Sequence, residues 1–222
     1  MKKLSIIAAV ALTVGLLGGC GSKMDAAAYT KALLDNSYKN DSTDFVALKI
    51  GTAEEAADLY EQGLDAETDA MLAQSGNAIS DEQAAEFRSV FADILAGARY
   101  TVGEAEKQDD NSYVVTITYE QMQIFGPVME EYIPEVEDMG NTWAEAYAAG
   151  EEIPSDDEMV AAIIDLMKDL FVEKLQNVTY ADPQTTTIRI ELKDNVYGPN
   201  QTDLMNLEAS LFDVEAMNAA LQ

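Results

Sequence analysis

Along most of this chain, apolar residues recur every three to four positions, and in two short stretches they recur every two. The pattern predicts amphipathic helices interrupted by a small sheet. Ala26, Tyr29, Leu33 and Leu34 carry the helical spacing to about Tyr38, and Lys39-Asn40-Asp41-Ser42 then breaks it. Three later helices open on capping boxes, in which a Ser or Thr side chain and a Glu or Gln three residues on satisfy otherwise orphaned amides. Thr52-Ala53-Glu54-Glu55 begins one expected to turn Ala53, Ala57, Tyr60, Leu64 and Met71 inward. Ser80-Asp81-Glu82-Gln83 begins a second, with Phe87, Val90, Phe91, Ile94 and Leu95 inward and Gly97 near its end. Ser155-Asp156-Asp157-Glu158 begins a third, with Val160, Ile163, Ile164, Met167, Leu170 and Phe171 inward. The acids in these first turns also suit the helix dipole.

The period-two stretches read as strands. Tyr113, Val115, Ile117 and Tyr119 fall on one face of 112–120, and 99–107 is the expected partner across Gln108-Asp109-Asp110-Asn111, a set of turn residues. Thr185 to Lys193 is a later strand that buries Ile188, Ile190 and Leu192 and shows Arg189, Glu191 and Lys193 to solvent, with Val178-Thr179-Tyr180 extending it before Pro183. Leu204, Leu207, Leu211, Phe212 and Met217 mark a final helix. Between Pro127 and Ala149 a 3–4 spacing persists through Pro134 and Gly140, which fits either a helix kinked at Pro134 or two short helices. The fold class is therefore α+β, with several amphipathic helices on a small antiparallel sheet made of a hairpin at about 99–120 and a strand at about 185–193.

The first residues follow a different rule. Lys2 and Lys3 precede an uncharged run from Leu4 to Gly19, 16 residues long, which is shorter than the roughly 17–25 residues a membrane span needs and matches the apolar region of a signal peptide. It ends in Leu17-Gly18-Gly19-Cys20. That motif resembles the lipobox of bacterial lipoproteins. The resemblance implies cleavage before Cys20, a diacylglyceryl group on its thiol, and attachment to the extracytoplasmic face of the cell membrane. Two or more acyl chains hold a protein stably where one does not. The expected organisation is 1–19 as signal peptide, 20–23 as a lipidated tether, and 24–222 as a single acidic α+β domain. With this order of elements, the chain is similar to small, uncharacterised surface lipoproteins of Gram-positive bacteria with cystatin-like or NTF2-like folds.

Charge and the rarer residues narrow the function. The chain carries 13 Lys+Arg against 41 Asp+Glu, and loss of Lys2 and Lys3 with the signal takes the net charge from −28 to −30. Such a chain repels phosphates, so nucleic acid is not an expected partner. It is also repelled by an anionic membrane face, which leaves the lipid on Cys20 to hold it there. Histidine is absent and Cys20 is the only cysteine. These facts exclude Ser–His and Cys–His hydrolases and disulfides, and neither a cofactor nor a metal centre is expected.

Remaining candidates are sparse. The acidic groups Glu54-Glu55, Asp109-Asp110, Glu130-Glu131 and Asp156-Asp157-Glu158 lack the spacing of a calcium loop and are explained by capping and turns. Tyr113, Tyr119, Trp143, Tyr147 and Tyr197 are the candidate lining of a ligand pocket between the sheet and the Pro134 helix, although their period also suits a core. No catalytic residue stands out. The expected function is a non-enzymatic binding or interaction module with a protein or small-molecule partner. A solute-binding lipoprotein of an importer and a carboxylate-based cell-wall hydrolase are the alternatives.

Overall fold

The computed structural model describes residues 24–72, 79–194 and 196–220. Helix α1 (Ala26–Lys39) starts where the Asp25 carboxylate accepts the Ala28 N–H at 3.0 Å and ends at Asn40, whose φ of 52° suits Asn better than most residues. Its apolar stripe is buried from Ala26 through Tyr38. At its end, the Lys39 ammonium donates to the Ala96 carbonyl at 2.6 Å and to that of Ala98. A cation is thereby placed at the C-terminal end of the helix that closes at Ala96, where the dipole favours it.

Helix α2 (Thr43–Ala47) is one short turn whose Phe45 is completely buried. Helices α3 (Ala53–Leu72) and α4 (Asp81–Ala96) follow. The boxes at Thr52, Ser80 and Ser155 all form reciprocally, as expected. The α4 face matches its expectation, and α3 buries Tyr60, Leu64 and Met71 as expected, but its buried alanine is Ala56, not Ala53 or Ala57, and Glu67 and Thr68 are buried with them.

Strands β1 (Arg99–Lys107) and β2 (Tyr113–Glu120) make the hairpin, with a register shift between Val102 and Ala105. Gly103 sits in that irregularity, where an added Cβ would lie 3.3 Å from the Thr116 carbonyl. After β3 (Met122–Gln123) come helices α5 (Phe125–Ala149) and α6 (Asp156–Leu175), then β4 (Thr179–Tyr180), β5 (Gln184–Lys193) and β6 (Val196–Pro199), and finally helices α7 (Gln201–Leu211) and α8 (Val214–Ala220). The main sheet runs β1-β2-β5-β6 with antiparallel neighbours. Val115 faces Ile188 across the ladder, and these two with Ile117 and Ile190 are fully buried under the helices.

Several expectations need correction. Thr179-Tyr180 does not extend β5. It pairs with Met122-Gln123 in a separate two-stranded sheet, because Pro183 cannot donate to a ladder and the chain turns before it. Leu192 is 37% exposed rather than buried, since it lies at the β5–β6 end of the sheet. The C-terminal helix is two, broken at Phe212-Asp213. Of the two readings of the stretch around Pro134, the single helix is the one found, 25 residues long with the proline inside it. From Glu130 to Ile163 no residue is fully buried, so α5 beyond Pro134 and the start of α6 form an antiparallel arm that touches the core only at its edge, through Val160.

Candidate functional site

The five aromatic candidates do not converge. Tyr113 and Tyr197 meet edge-on with ring centroids 5.7 Å apart at one end of the sheet, and the Tyr29 hydroxyl donates to the Tyr197 carbonyl at 3.0 Å. Tyr119 is buried at the opposite end of β2, with its hydroxyl 3.3 Å from the Gln184 side-chain oxygen. Trp143 and Tyr147 lie in the outer half of α5. Trp143 is half-buried and Tyr147 is 74% exposed. Tyr119 borders an open depression with Arg99, Tyr100, Glu120 and Pro183, of about 360 Å³. Across it the Arg99 guanidinium lies 3.5 Å from the centre of the Tyr180 ring, and Tyr180 borders a second open depression of about 410 Å³ with Met122, Val172 and Val178. These are shallow surfaces, without the enclosure and converging polar groups of a small-molecule site.

One acid of each cluster considered for metal binding is engaged locally. The Glu55 and Glu158 carboxylates accept the Thr52 and Ser155 amides, Asp110 accepts from the Ser112 amide and hydroxyl, and Glu131 pairs with Lys174. Among the described residues, no group of three His, Cys, Asp or Glu side chains is disposed to hold a metal ion. Arg189 makes a two-pronged pair with Asp203 at 2.8 and 3.1 Å, and Lys193 pairs with Glu191 at 2.7 Å.

Three acidic residues outside the candidate set stand out, two of them beside one cavity. Glu67 is only 6% exposed, and with Glu208 it lines a cavity of about 30 Å³ bounded by Leu34, Tyr38, Leu64, Leu95 and Leu204. Burial raises the Glu208 carboxyl from 4.5 to about 7. The Tyr38 hydroxyl is raised well above its usual value by burial and by the charges of Glu208, Tyr100 and Glu67. The cavity has room for one or two waters and is far below the several hundred Å³ of a ligand pocket. Ionising Glu208 there costs free energy that its protonation relieves. A signal was present: Glu208 follows Leu204 by four positions and precedes Leu211 by three, and Glu67 stands between Leu64 and Met71, so both lie on apolar stripes.

Asp213 is the other missed residue. Buried in the break between α7 and α8, its carboxylate accepts the amides of Ile124, Phe125 and Gly126 at 2.9, 2.8 and 2.9 Å. Helix α5 has no side-chain cap of its own, so this residue from far along the chain supplies one.

Cys20 lies outside the described residues. Among those described, no helix is long and apolar enough to cross a membrane.

The α+β arrangement, with helices over an antiparallel four-stranded sheet, is what comparison with known proteins bears on. No family model and no curated protein sequence matches the chain. Among solved structures, the fold is similar to that of a Bacillus subtilis protein, YcdA, described as a "putative lipoprotein". The TM-score is 0.54 at 14% sequence identity, covering 85% of this chain and 56% of that one. The chain therefore spans little more than half the length of that neighbour, and the likeness is one of fold.

Proposed function

We propose that the chain is a lipoprotein held at the extracytoplasmic face of a membrane by acyl groups on Cys20, displaying its folded part as a non-enzymatic interaction module. The observation that carries this reading is the Leu17-Gly18-Gly19-Cys20 motif closing an uncharged run behind Lys2 and Lys3. The fold likeness to a protein described in the same terms supports it. So does geometry: α1 begins at Ala26 and is buried from its first residue. Six residue steps from Cys20 reach at most about 20 Å. A lipid on Cys20 would hold the folded part against the bilayer despite its negative charge. The module reading rests on the shallow surface depressions, the water-sized cavity and the local engagement of the clustered acids.

The test is detergent phase partition of the chain expressed with its own leader. Wild-type protein should enter the detergent phase after signal processing. Cys20→Ala should leave the leader uncleaved and remove the acyl mass. An acyl-free wild-type protein of the processed size would overturn the proposal.

A further inference from the structure

The course of α1 determines which end of the fold an anchor at Cys20 can hold to a bilayer. At the C-terminal end of α1, Lys39 donates to the Ala96 and Ala98 carbonyls and the Tyr38 ring lies 5.9 Å from that of Tyr100, beside the start of β1. At its N-terminal end the Tyr29 hydroxyl donates to the Tyr197 carbonyl at 3.0 Å, and Tyr197 meets Tyr113 with ring centroids 5.7 Å apart. Tyr113 opens β2 and faces Lys107, the last residue of β1, while Tyr197 faces Leu192 near the end of β5. The tether therefore joins the fold at the end of the sheet that carries the 108–112 turn and the turn from β5 to β6. Arg99, Tyr119 and Gln184 mark the opposite end.

Reach decides between the two ends. Ala26 is packed into the core, and the chain from Cys20 to Ala26 spans at most about 20 Å. Were the Gln184 end to rest on the bilayer, the start of α1 would stand about 20 Å above it by the length of the helix, and Leu192 about 26 Å by the length of the strand. The tether would then have to be stretched to its limit. With the Leu192 end down, it is slack. The side chains at that end suit the contact. Leu192 is 37% exposed where Ile188 and Ile190 before it are fully buried, and the Tyr113–Tyr197 pair is half-buried. Tyrosine is enriched where protein meets lipid headgroups. Lys107 and Lys193 are offset by Glu106, Asp109, Asp110 and Asp194, so there is no basic patch to attract anionic lipid. We infer that the bilayer surface is the partner of this end of the sheet, with Leu192, Tyr197 and Tyr113 at headgroup level. The Arg99–Tyr180 end, with its two open depressions, is then turned outward, where a partner can reach it. The inference deepens the anchored-module reading given above and rests on it.

The experiment places one tryptophan at either end. Trp143 is the chain's only tryptophan, so Trp143→Phe clears the background, and Leu192→Trp or Gln184→Trp, both at exposed positions, is added to it. The lipidated chains are inserted into phosphatidylcholine vesicles that carry a nitroxide on the headgroup. The headgroup layer is about 5–8 Å deep, so reporters about 26 Å apart along the strand are well separated. Leu192→Trp should lose most of its emission and Gln184→Trp should keep its own, with circular dichroism matching that of Trp143→Phe alone. Lys107→Trp, at the end of β1, is a second near reporter that leaves the apolar group intact and should be quenched as Leu192→Trp is. Equal quenching at the two ends, stronger quenching of Gln184→Trp, or none at any site would overturn the inference. A blue shift of Leu192→Trp that grows with protein concentration in detergent alone would assign this end to a second copy of the chain, and would overturn it too. The lipid mass on Cys20 scores the anchor separately. Were that lipid absent, a maleimide phospholipid coupled to Cys20, the only thiol, supplies a tether of the same length, and the same reporters test the orientation.

Discussion

Glu208→Gln should stabilise the protein at pH 8 and leave it nearly unchanged at pH 4. The Glu208 carboxyl sits beside Leu204, Leu95 and Tyr38 in the interior between α1, α3, α4 and α7, and burial holds its pKa near 7 against an ordinary 4.5. In the folded state the group keeps its proton to higher pH than in the unfolded state. Stability is therefore full below about 4.5 and is lost as pH rises to 7. A displacement of that size corresponds to about 3 kcal/mol, at 1.36 kcal/mol for each tenfold change in proton affinity. Glutamine keeps the shape and cannot ionise, so it removes the loss. Urea denaturation of both proteins from pH 4 to pH 8 measures the effect. The general repulsion of a chain at −28 affects both proteins alike and cancels in the difference. The advantage of the variant should grow with pH to about 3 kcal/mol, with its midpoint between 4.5 and 7. A difference that stays flat with pH would refute the claim that Glu208 ionises at a cost in the folded state.

Asp213→Ala should cost about 2–4 kcal/mol, since three amides at the start of α5 lose a charged acceptor, and hydrogen exchange should show those amides opening first. Lys39→Met should cost about 1–2 kcal/mol in denaturant, because the Ala96 and Ala98 carbonyls lose their donor. Arg189→Ala, by contrast, should change the unfolding midpoint by under about 1 kcal/mol despite its good geometry, because Arg189 is 49% exposed.

What could be read from the sequence was what is encoded locally. The three capping boxes lie within four residues each, and the alternation of Tyr113 to Tyr119 is confined to one strand, so both appear as expected. The features that were missed are held by distant partners. The cap of α5 comes from Asp213, 89 residues beyond Ile124, and β3 and β4 are two residues each, too short to carry a period. α2 is five residues long and exists because Phe45 fills a core site. An aromatic pocket is expected from helical and strand periods alone, and these fix the face of an element but not how far it runs past its neighbours. Trp143 and Tyr147 are therefore on the arm and not over the sheet. The acids on the α3 and α7 stripes could have been read, because a Glu at a leucine's position is itself a local signal.

The proposed lipid anchor at Cys20 is the central claim about function, since it alone would hold this acidic chain at a membrane. Its most direct test is the mass of the N-terminal peptide released from protein extracted from membranes. A lipid anchor there gives a peptide that begins at Cys20 and carries a diacylglyceryl group on the thiol. A peptide that retains residues 1–19, or a processed one with a free thiol, would contradict it.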